Sequence, residues 1–570
     1  MTAVETIRTA PVTGSHSPAE QDMLAALGAE RPALAAAYPA ALAPARAGVL
    51  ARLWGALWRE PLPGIAARWV RASTGEAVVM LPDGRRLTAP AHTTGPFATV
   101  PASWAVIEHG RTVTALHHPV ALLDALRLSG PAADRLRAEL DDSVAALALA
   151  YTAAALRQAT GATGANGGDT EPTTLVGYEQ SVLDGHPLHP CCRTRTGMSA
   201  ADLLAYAPEH HPVVRLKLLA VPRDRWHATG RWDDVLGLPA PAGHALLPVH
   251  PWQLAHLDRL GELPPGLSVA GELPADPLLS LRTFALRDRP QHLKTAIDVQ
   301  MTSAVRRVSP AAVRNGPAVS GLLATLVAAE DGFAGTFAVL AEPAAGAVLV
   351  GGEPSARLAA VLRDPPRARP GERVMPAAAL PDHLRRRPPA DPAGWMRAYA
   401  LLTARPFLTL LARWGVALEA HGQNTLAVLH DGRPARVLYR DLGGVRISPA
   451  RLERVGVPCP PLAGDLACDD GDELVAKLLA SLVSTHWWSV VTALAAATGC
   501  PAGALWGQVA AACRAVLDGL ASDDGAGDGA VAAALFADHL PVKAMTAMRL
   551  ATDPHADIWT TVPNPLKDPR

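Results

Sequence analysis

The chain lacks several things that would place it at once. It has no excess of charge of either sign, with 52 Lys and Arg against 53 Asp and Glu in 570 residues, so no global field draws it to nucleic acid or to a membrane surface. An anion must therefore be held by a local arrangement of basic groups. Cysteine is scarce: Cys191, Cys192, Cys459, Cys468, Cys500 and Cys513 form no C-x-x-C pair, and six in this length do not make a disulfide framework. The first residues, MTAVETIRTAPVTGSHSP, lack the basic-then-apolar order of a secretory signal. The apolar run from Val144 to Leu156 is too short to span a bilayer, so the expectation is a cytosolic protein that binds neither nucleic acid nor membrane. No G-x-x-x-x-G-K-[ST] loop occurs; the nearest stretch, GATGANGGDT, has no Lys and no clear preceding strand. No G-x-S-x-G elbow occurs either, which counts against an ordinary α/β hydrolase. Aromatic residues are only 4%, and the abundance of Ala, Arg, Pro and Gly means that Ala-rich runs carry little signal.

At this length one core is not enough, and two to four domains are expected. Two interruptions divide the chain. The polar, Gly-rich segment from Thr160 to Thr174 follows a run of helix formers, and the stretch from Arg363 to Gly394 is too dense in Pro and Arg for a continuous helix or a central strand. The regions 1–160, 161–372 and 373–570 follow. Helical spacing dominates the last of them, as from Gly471 to Gly499, where His486, Trp487 and Trp488 read as packing. The loop ASDDGAGDGA, Ala521 to Ala530, lacks the bidentate Glu of a calcium loop and reads as solvated. Hairpins mixed with helices make the class α+β.

Two hairpins gather polar residues. In SLRTFALRDRPQHLKTAIDVQM a turn at Asp288, Arg289 and Pro290 joins two strand-like runs. A hairpin centred on Arg289 pairs Arg282 with Ala296 and Phe284 with Lys294, and puts Ser280, Arg282 and Lys294 on one face, suited to an anion or simply to solvent. Thr302 and Arg306 extend the group. In EAHGQNTLAVLHDGRPARVLYRDLGG the turn HDGRP predicts pairing about Gly432, with Asn424 near Arg440 and Gln423 near Asp441. Glu419, His421, Asn424 and Asp441 then share one small space. Carboxylates and an amide oxygen are hard ligands of the kind magnesium takes; the same residues equally suit a buried polar network. The Asn and Asp across a short hairpin also parallel the metal-holding logic of kinases.

The stretch GHPLHPCCRTRTG, Gly185 to Gly197, is stiffened by two prolines and reads as extended. A zinc site from His186, His189, Cys191 and Cys192 is disfavoured, because adjacent cysteines ligate one ion poorly. Arg193 and Arg195 alternate, so both project to one side as planar donors for a carboxylate or phosphate.

Taken in order, GHPLHPCCRTRTG, LLPVHPWQ, SLRT, KTAIDVQMTSAVR, EAHGQN, RDLGG and PVKAMTAMRL resemble the IucA/IucC family, the aerobactin-synthetase-type siderophore synthetases that work without a nonribosomal peptide synthetase. The resemblance runs from about Gly185 to Leu550. It implies a three-subdomain cupped hand, with antiparallel hairpins lining the cup and a helical C-terminal part, often in a homodimer. It implies ATP and Mg2+ as cofactors, and a reaction in which a carboxylate, citrate foremost, is adenylated and then condensed with an amine or hydroxyl. The same chemistry on α-ketoglutarate or on a citryl or succinyl amide is the alternative; a kinase-like phosphotransferase and a non-catalytic binding protein are more remote. By the resemblance Ser280, Arg282, Thr283, Lys294, His186, Arg195, Gln423, Asn424 and Asp441 bind the nucleotide, with Lys294 and Arg282 at its phosphates. Glu419, Asn424 and Asp441 hold the metal, and Thr302, Arg306 and His421 the carboxylate. Lys294, Arg282, His421 and Arg306 are the implied catalytic set. Arg193 stands where the family commonly has Lys, which alters the donor geometry while keeping the charge. Met198 conservatively replaces a bulky apolar residue.

Overall fold

The computed structural model describes residues 16–73, 75–90, 105–109, 112–160, 171–524, 529–553 and 557–567. Most of the segment from Thr160 to Thr174 and part of the ASDDGAGDGA loop fall outside them.

The N-terminal body starts with a capping box. Ser17 accepts the N–H of Glu20 and the Glu20 side chain returns to the N–H of Ser17, which satisfies two orphan donors of the helix Pro18–Glu30. The helix Pro32–Arg59 then packs along Pro131–Ala159, burying Tyr38, Leu53, Trp54, Leu140, Val144 and Leu147. Between these helices lies a five-stranded antiparallel meander, Ala67 to Leu116, with its strands in chain order. Cys191 and Cys192 belong to the same core.

The central body is an eight-stranded antiparallel sheet. Its strand order across the sheet is Trp226–Gly230, Ala344–Val350, Glu353–Arg363, His292–Thr295, Thr283–Leu286, Ser268–Pro277, Val214–Pro222 and His244–Val249. Apolar side chains from one face, among them Leu216, Leu247, Phe284 and Leu293, form one core. The helix Pro310–Ala328, started by the Ser309 cap, covers the other face over the first three of those strands. The SLRT hairpin thus occupies the middle of the sheet, where both edges of its backbone are paired.

Its register differs from the symmetric expectation. Thr283, not Phe284, lies opposite Lys294, because the loop is the four residues Arg287 to Pro290, closed by the N–H of Leu286 donating to Gln291 O. Nor do Ser280, Arg282 and Lys294 share a strand face. Leu281 takes a left-handed φ of 65°, so Ser280 and Arg282 lie in a bend ahead of the strand; such a conformation costs a non-Gly residue about 1–3 kcal/mol. The second run is also interrupted. After Thr295 the chain leaves the sheet and makes a separate two-residue ladder, Gln300–Met301 with Ala304–Val305, turning at Thr302 with φ 53°.

The C-terminal body sets a four-stranded sheet against helices. The strand order is Phe337–Val339, Arg433–Tyr439, Thr425–His430 and Glu372–Pro376. The Pro- and Arg-rich stretch contributes the edge strand and the short helix Leu380–Arg386, which agrees with the absence of a long helix or central strand. The hairpin register about Gly432 is as expected: Thr425 faces Tyr439 and the N–H of Arg440 donates to Asn424 O at 3.0 Å. Asp431 and Gly432 both have positive φ, the two-residue turn that matches strand twist. The helical stretch from Gly471 breaks into a π turn at Leu482–Trp487 before resuming at Trp488. His486 and Trp487 do pack, bonding Tyr399, Ala420 O and Thr403. By length and hydropathy Pro32–Arg59 and Gly471–Thr498 could cross a membrane, but the apolar faces of both lie in protein cores.

Candidate active site

The site forms where the middle of the eight-stranded sheet meets one end of the four-stranded sheet. Lys294 reaches across from the first and Asp441 from the second. The Lys294 ammonium donates to both carboxylate oxygens, at 2.7 and 2.8 Å, and Arg363 lies 3.3 Å from the same carboxylate. Burial opposes ionisation of Asp441, but the charges of Lys294 and Arg363 outweigh it and hold its carboxyl well below the usual range. Burial lowers the Lys294 ammonium, and Asp441 offsets only part of that. Asp441 itself has φ 76°, and its side chain accepts the N–H of Gly443, so the RDLGG segment turns sharply there. Arg363 is in turn bonded to Glu342.

Two half-buried guanidiniums nearby, Arg282 and Arg306, have no carboxylate at ion-pair distance among the described residues. Arg282 donates only to carbonyls, Arg306 O at 3.1 Å and Arg307 O at 2.6 Å; burial, and then the neighbouring Arg306 charge, pull it down to about 10. Arg306 donates to Thr302 Oγ1 at 2.6 Å, and burial lowers it too. The left-handed Thr302 presents its hydroxyl to that guanidinium. Ser280 Oγ donates to Thr283 Oγ1 at 2.7 Å, tying the bend to the strand. Such cations in low dielectric are costly unless an anion arrives to meet them.

The loop 418–424 supplies the other wall. Glu419 pairs with Lys477 at 3.1 Å. Burial disfavours its charge, but Lys477 and His421 more than compensate and lower its carboxyl. His421 accepts the N–H of Gln423 at Nδ1, 3.2 Å, so its ring proton is on Nε2. Burial lowers its imidazolium form, and the ring is a neutral donor. Asn424 is buried, with its amide 3.5 Å from Glu419 O, and Gln423 O accepts twice from Arg440.

The GHPLHPCCRTRTG stretch behaves differently from the extended segment expected. It is a series of turns, and His186 and His189 each turn Nδ1 inward to accept N–H groups two or three residues ahead. His118 and His250 do the same at their His-Pro steps, capping the helices Pro119–Ala125 and Pro251–Arg259. At these four His-Pro steps the imidazole is thus the cap. His186 is desolvated, and within range of the charges of His189, His421 and Arg306, so its imidazolium form is strongly disfavoured. Arg193 and Arg195 do converge on a carboxylate, but it is the chain's own Glu209, at 3.3 and 3.9 Å. Arg193, 1% exposed, also donates to Leu183 O and Val182 O, which makes it a brace. Arg195 has a buried Nε with no hydrogen-bond partner and feels the charge of Arg306, so it borders the cluster. No group of three or more His, Cys, Asp or Glu suited to a metal occurs among the described residues.

Residues that the sequence reading did not single out complete the site. Glu179, Glu342, Arg363, Arg440 and Lys477 are all in direct contact with the candidate residues or their loops. LLPVHPWQ supports from behind: His250 lies against Phe284, with ring centroids 5.7 Å apart, and Gln253 accepts the N–H of Asp298.

Comparison with known proteins places residues 174–382 under the IucA / IucC family model. Residues 393–558 match a model described as ferric iron reductase FhuF-like transporter. Staphyloferrin A synthase of Staphylococcus aureus is 26% identical over 365 residues, 56% of this chain and 61% of that protein. L-2,3-diaminopropanoate–citrate ligase of the same organism is 27% identical over 368 residues, 56% of this chain and 62% of that protein. The chain thus spans about three fifths of the length of these curated relatives. Among solved structures, the petrobactin biosynthesis protein AsbB of Bacillus anthracis superposes with a TM-score of 0.75 at 17% identity, over 98% of this chain and 99% of that one. ATP-bound aerobactin synthetase IucA of Klebsiella pneumoniae superposes with a TM-score of 0.71 at 19% identity, over 91% and 99%. Both share the fold.

Proposed function

We propose that this chain, whose residues 174–382 match the IucA / IucC family model, is an ATP-dependent siderophore synthetase, an AMP-forming ligase of carboxylate and amine or hydroxyl. The observation that carries the reading is the pair of half-buried guanidiniums, Arg282 and Arg306, without a carboxylate partner beside the Lys294 and Asp441 ion pair. A cluster of this kind suits a reaction between two anions.

In the first step a carboxylate oxygen attacks the α-phosphorus of ATP, forming an acyl-adenylate and releasing pyrophosphate. The reactants repel each other, so both must be neutralised before they meet. Arg282, Lys294, Arg195 and His186 face the phosphates in this reading, and Ser280, Thr283 and Gln423 complete the nucleotide contacts. Lys294 exchanges one acceptor, Asp441, for another, a phosphate oxygen. Arg306 and the Nε2–H of His421 orient the carboxylate, with the Thr302 hydroxyl fixing Arg306. In the second step the amine nitrogen bonds to the acyl carbon, AMP leaves, and the nitrogen loses a proton. With its ring proton on Nε2, His421 serves the carboxylate as donor rather than the amine as base.

The donor set fits magnesium of the kind held jointly with phosphates: hard oxygens from Asp441, Asn424 and Glu419, not an all-protein cage. When bound, the metal offsets charge on the phosphates. Citrate is the foremost carboxylate, supported by the relative named as a citrate ligase; α-ketoglutarate or an amide-bearing intermediate is the alternative. A cytosolic homodimer is part of the same reading.

The test incubates protein, ATP and magnesium with citrate, α-ketoglutarate or succinate separately, using hydroxylamine as nucleophile. Hydroxamate together with AMP is the expected result. ADP in place of AMP, or no product from folded protein with any of the acids, sinks the proposal.

A further inference from the structure

The two loops that carry the candidate residues come from different sheets, and one buried side chain touches both. Glu179 lies on the helix Leu175–Ser181, which Thr174 caps, and its side chain is fully buried. Its Oε2 accepts the N–H of Leu279 at 3.1 Å, immediately before Ser280. Its Oε1 lies 2.6 Å from Arg440 Nη2, immediately before Asp441. Arg440 then donates from Nε and Nη2 to Gln423 O, at 3.1 and 2.9 Å. On the same helix, Gln180 donates to Pro277 O at 3.1 Å, fixing the other end of the bend.

The geometry points to Glu179 and Arg440 as positioning residues: a buried strut that sets the separation between the Ser280–Arg282 bend and the loop carrying Gln423, Asn424 and Asp441. The two loops have few other reasons to keep their distance. Arg282 donates to carbonyls of the 306–307 segment and Arg306 to the Thr302 hydroxyl, and Lys294 must loosen its hold on Asp441 when a phosphate arrives. Arg363 and Glu342 still hold Asp441 and Leu442 from the side of the eight-stranded sheet, but they do not touch the Ser280–Arg282 bend, whose own link to the opposite loop runs through Glu179 and Arg440. Glu179 contacts no reacting group in the proposed reaction. It acts only through Leu279 and Arg440, and a misplacement of about 1 Å at a site of this kind costs on the order of 100-fold in rate. The role in catalysis rests on the proposed function; the mechanical role does not.

Two variants separate the contributions. Glu179→Gln keeps an acceptor for Leu279 but removes the charge beside Arg440. Arg440→Lys keeps a cation for Glu179 but loses the fork that also holds Gln423 O. Amide hydrogen exchange on the full chain is the first readout. In both variants the segments 277–283 and 419–425 should exchange at least ten times faster together, while the N-terminal helices stay as protected as before. Acceleration confined to the segment next to the substitution, or none in either, overturns the strut. The second readout is hydroxamate turnover well below the unfolding temperature. There kcat per folded molecule should fall at least tenfold, with KM for the acid changing less than threefold; an unchanged kcat overturns the positioning role. A wild-type protein that makes no hydroxamate defeats the proposed function instead, and the exchange data still decide the strut.

Discussion

Replacing Lys294 by Met tests whether the central ion pair serves stability, chemistry or both. The substitution keeps the volume and removes the charge, leaving Asp441 buried with Arg363 at 3.3 Å as its remaining partner. Breaking a buried pair from one side costs about 3–5 kcal/mol; because Arg363 stays, the expected loss is at the low end, about 3 kcal/mol. Chemical denaturation reads this directly. Adding Asp441→Asn removes the stranded charge, so the double variant should be more stable than the sum of the singles predicts, with a coupling of about 1–3 kcal/mol. Activity should behave in the opposite way. Loss of one preorganised cation at the developing charge costs about 100–1000-fold, and the double variant regains nothing, because neither the phosphate cation nor the carboxylate is restored. Pyrophosphate release in the presence of citrate and hydroxylamine measures this step. Recovery of stability and turnover together in the double variant would refute the argument, since the pair would then be only structural. Unchanged pyrophosphate release in Lys294→Met would refute it from the other side.

Arg306→Ala should raise KM for the carboxylate by about 10–100-fold, the worth of one charge-assisted hydrogen bond, and leave KM for ATP within a few fold; equal rises in both would remove Arg306 from the carboxylate. A third expectation concerns pH. Glu60 is 2% exposed and accepts the N–H groups of Thr546 and Ala547 and the Thr546 hydroxyl; burial nonetheless lifts its carboxyl from 4.5 to about 7, with the neighbouring Arg59 offsetting part. The folded chain therefore keeps a proton that the unfolded chain loses, so this contribution is complete below pH 4.5 and is lost as pH rises to about 7. At about 1.4 kcal/mol per unit, Glu60→Gln should gain about 3 kcal/mol relative to wild type across that window, measured by denaturation at several pH values. Parallel stability curves would contradict it.

How much of this could be read along the chain depends on how local each cause was. The second hairpin was legible at the ends of its strands, where Asn424 meets Arg440 as expected; the two-residue turn at Asp431 and Gly432 would by itself set the pairing one residue off, and the irregularity at Val428 and Leu429 restores it. The first hairpin was legible as a hairpin but slipped by one. Nothing in Arg287 to Pro290 announces a four-residue loop, and Leu281 is a residue type that seldom takes positive φ. Site residues divide in the same way. Motif order brought Lys294, Arg282, Arg306, His421 and Asp441 together as candidates. The partners that decide their charge states, Arg363, Glu342, Lys477 and Glu179, stand on other elements in segments with no distinguishing pattern. Arg193 and Arg195 looked alike in sequence, and Glu209, 16 residues from the first, made one a brace and left the other bordering the site.

The sequence by itself determined the α+β class, the two hairpins and the types of group available to meet anions. Each of these is set by backbone preference and side-chain chemistry within a few residues. Only the tertiary structure decided which cations were neutralised within the chain and which were left without a carboxylate. That difference depends on desolvation and on carboxylates delivered from distant segments: Arg193 is held beside Glu209 and Arg363 beside Glu342, whereas Arg282 and Arg306, half-buried, meet no carboxylate at ion-pair distance among the described residues.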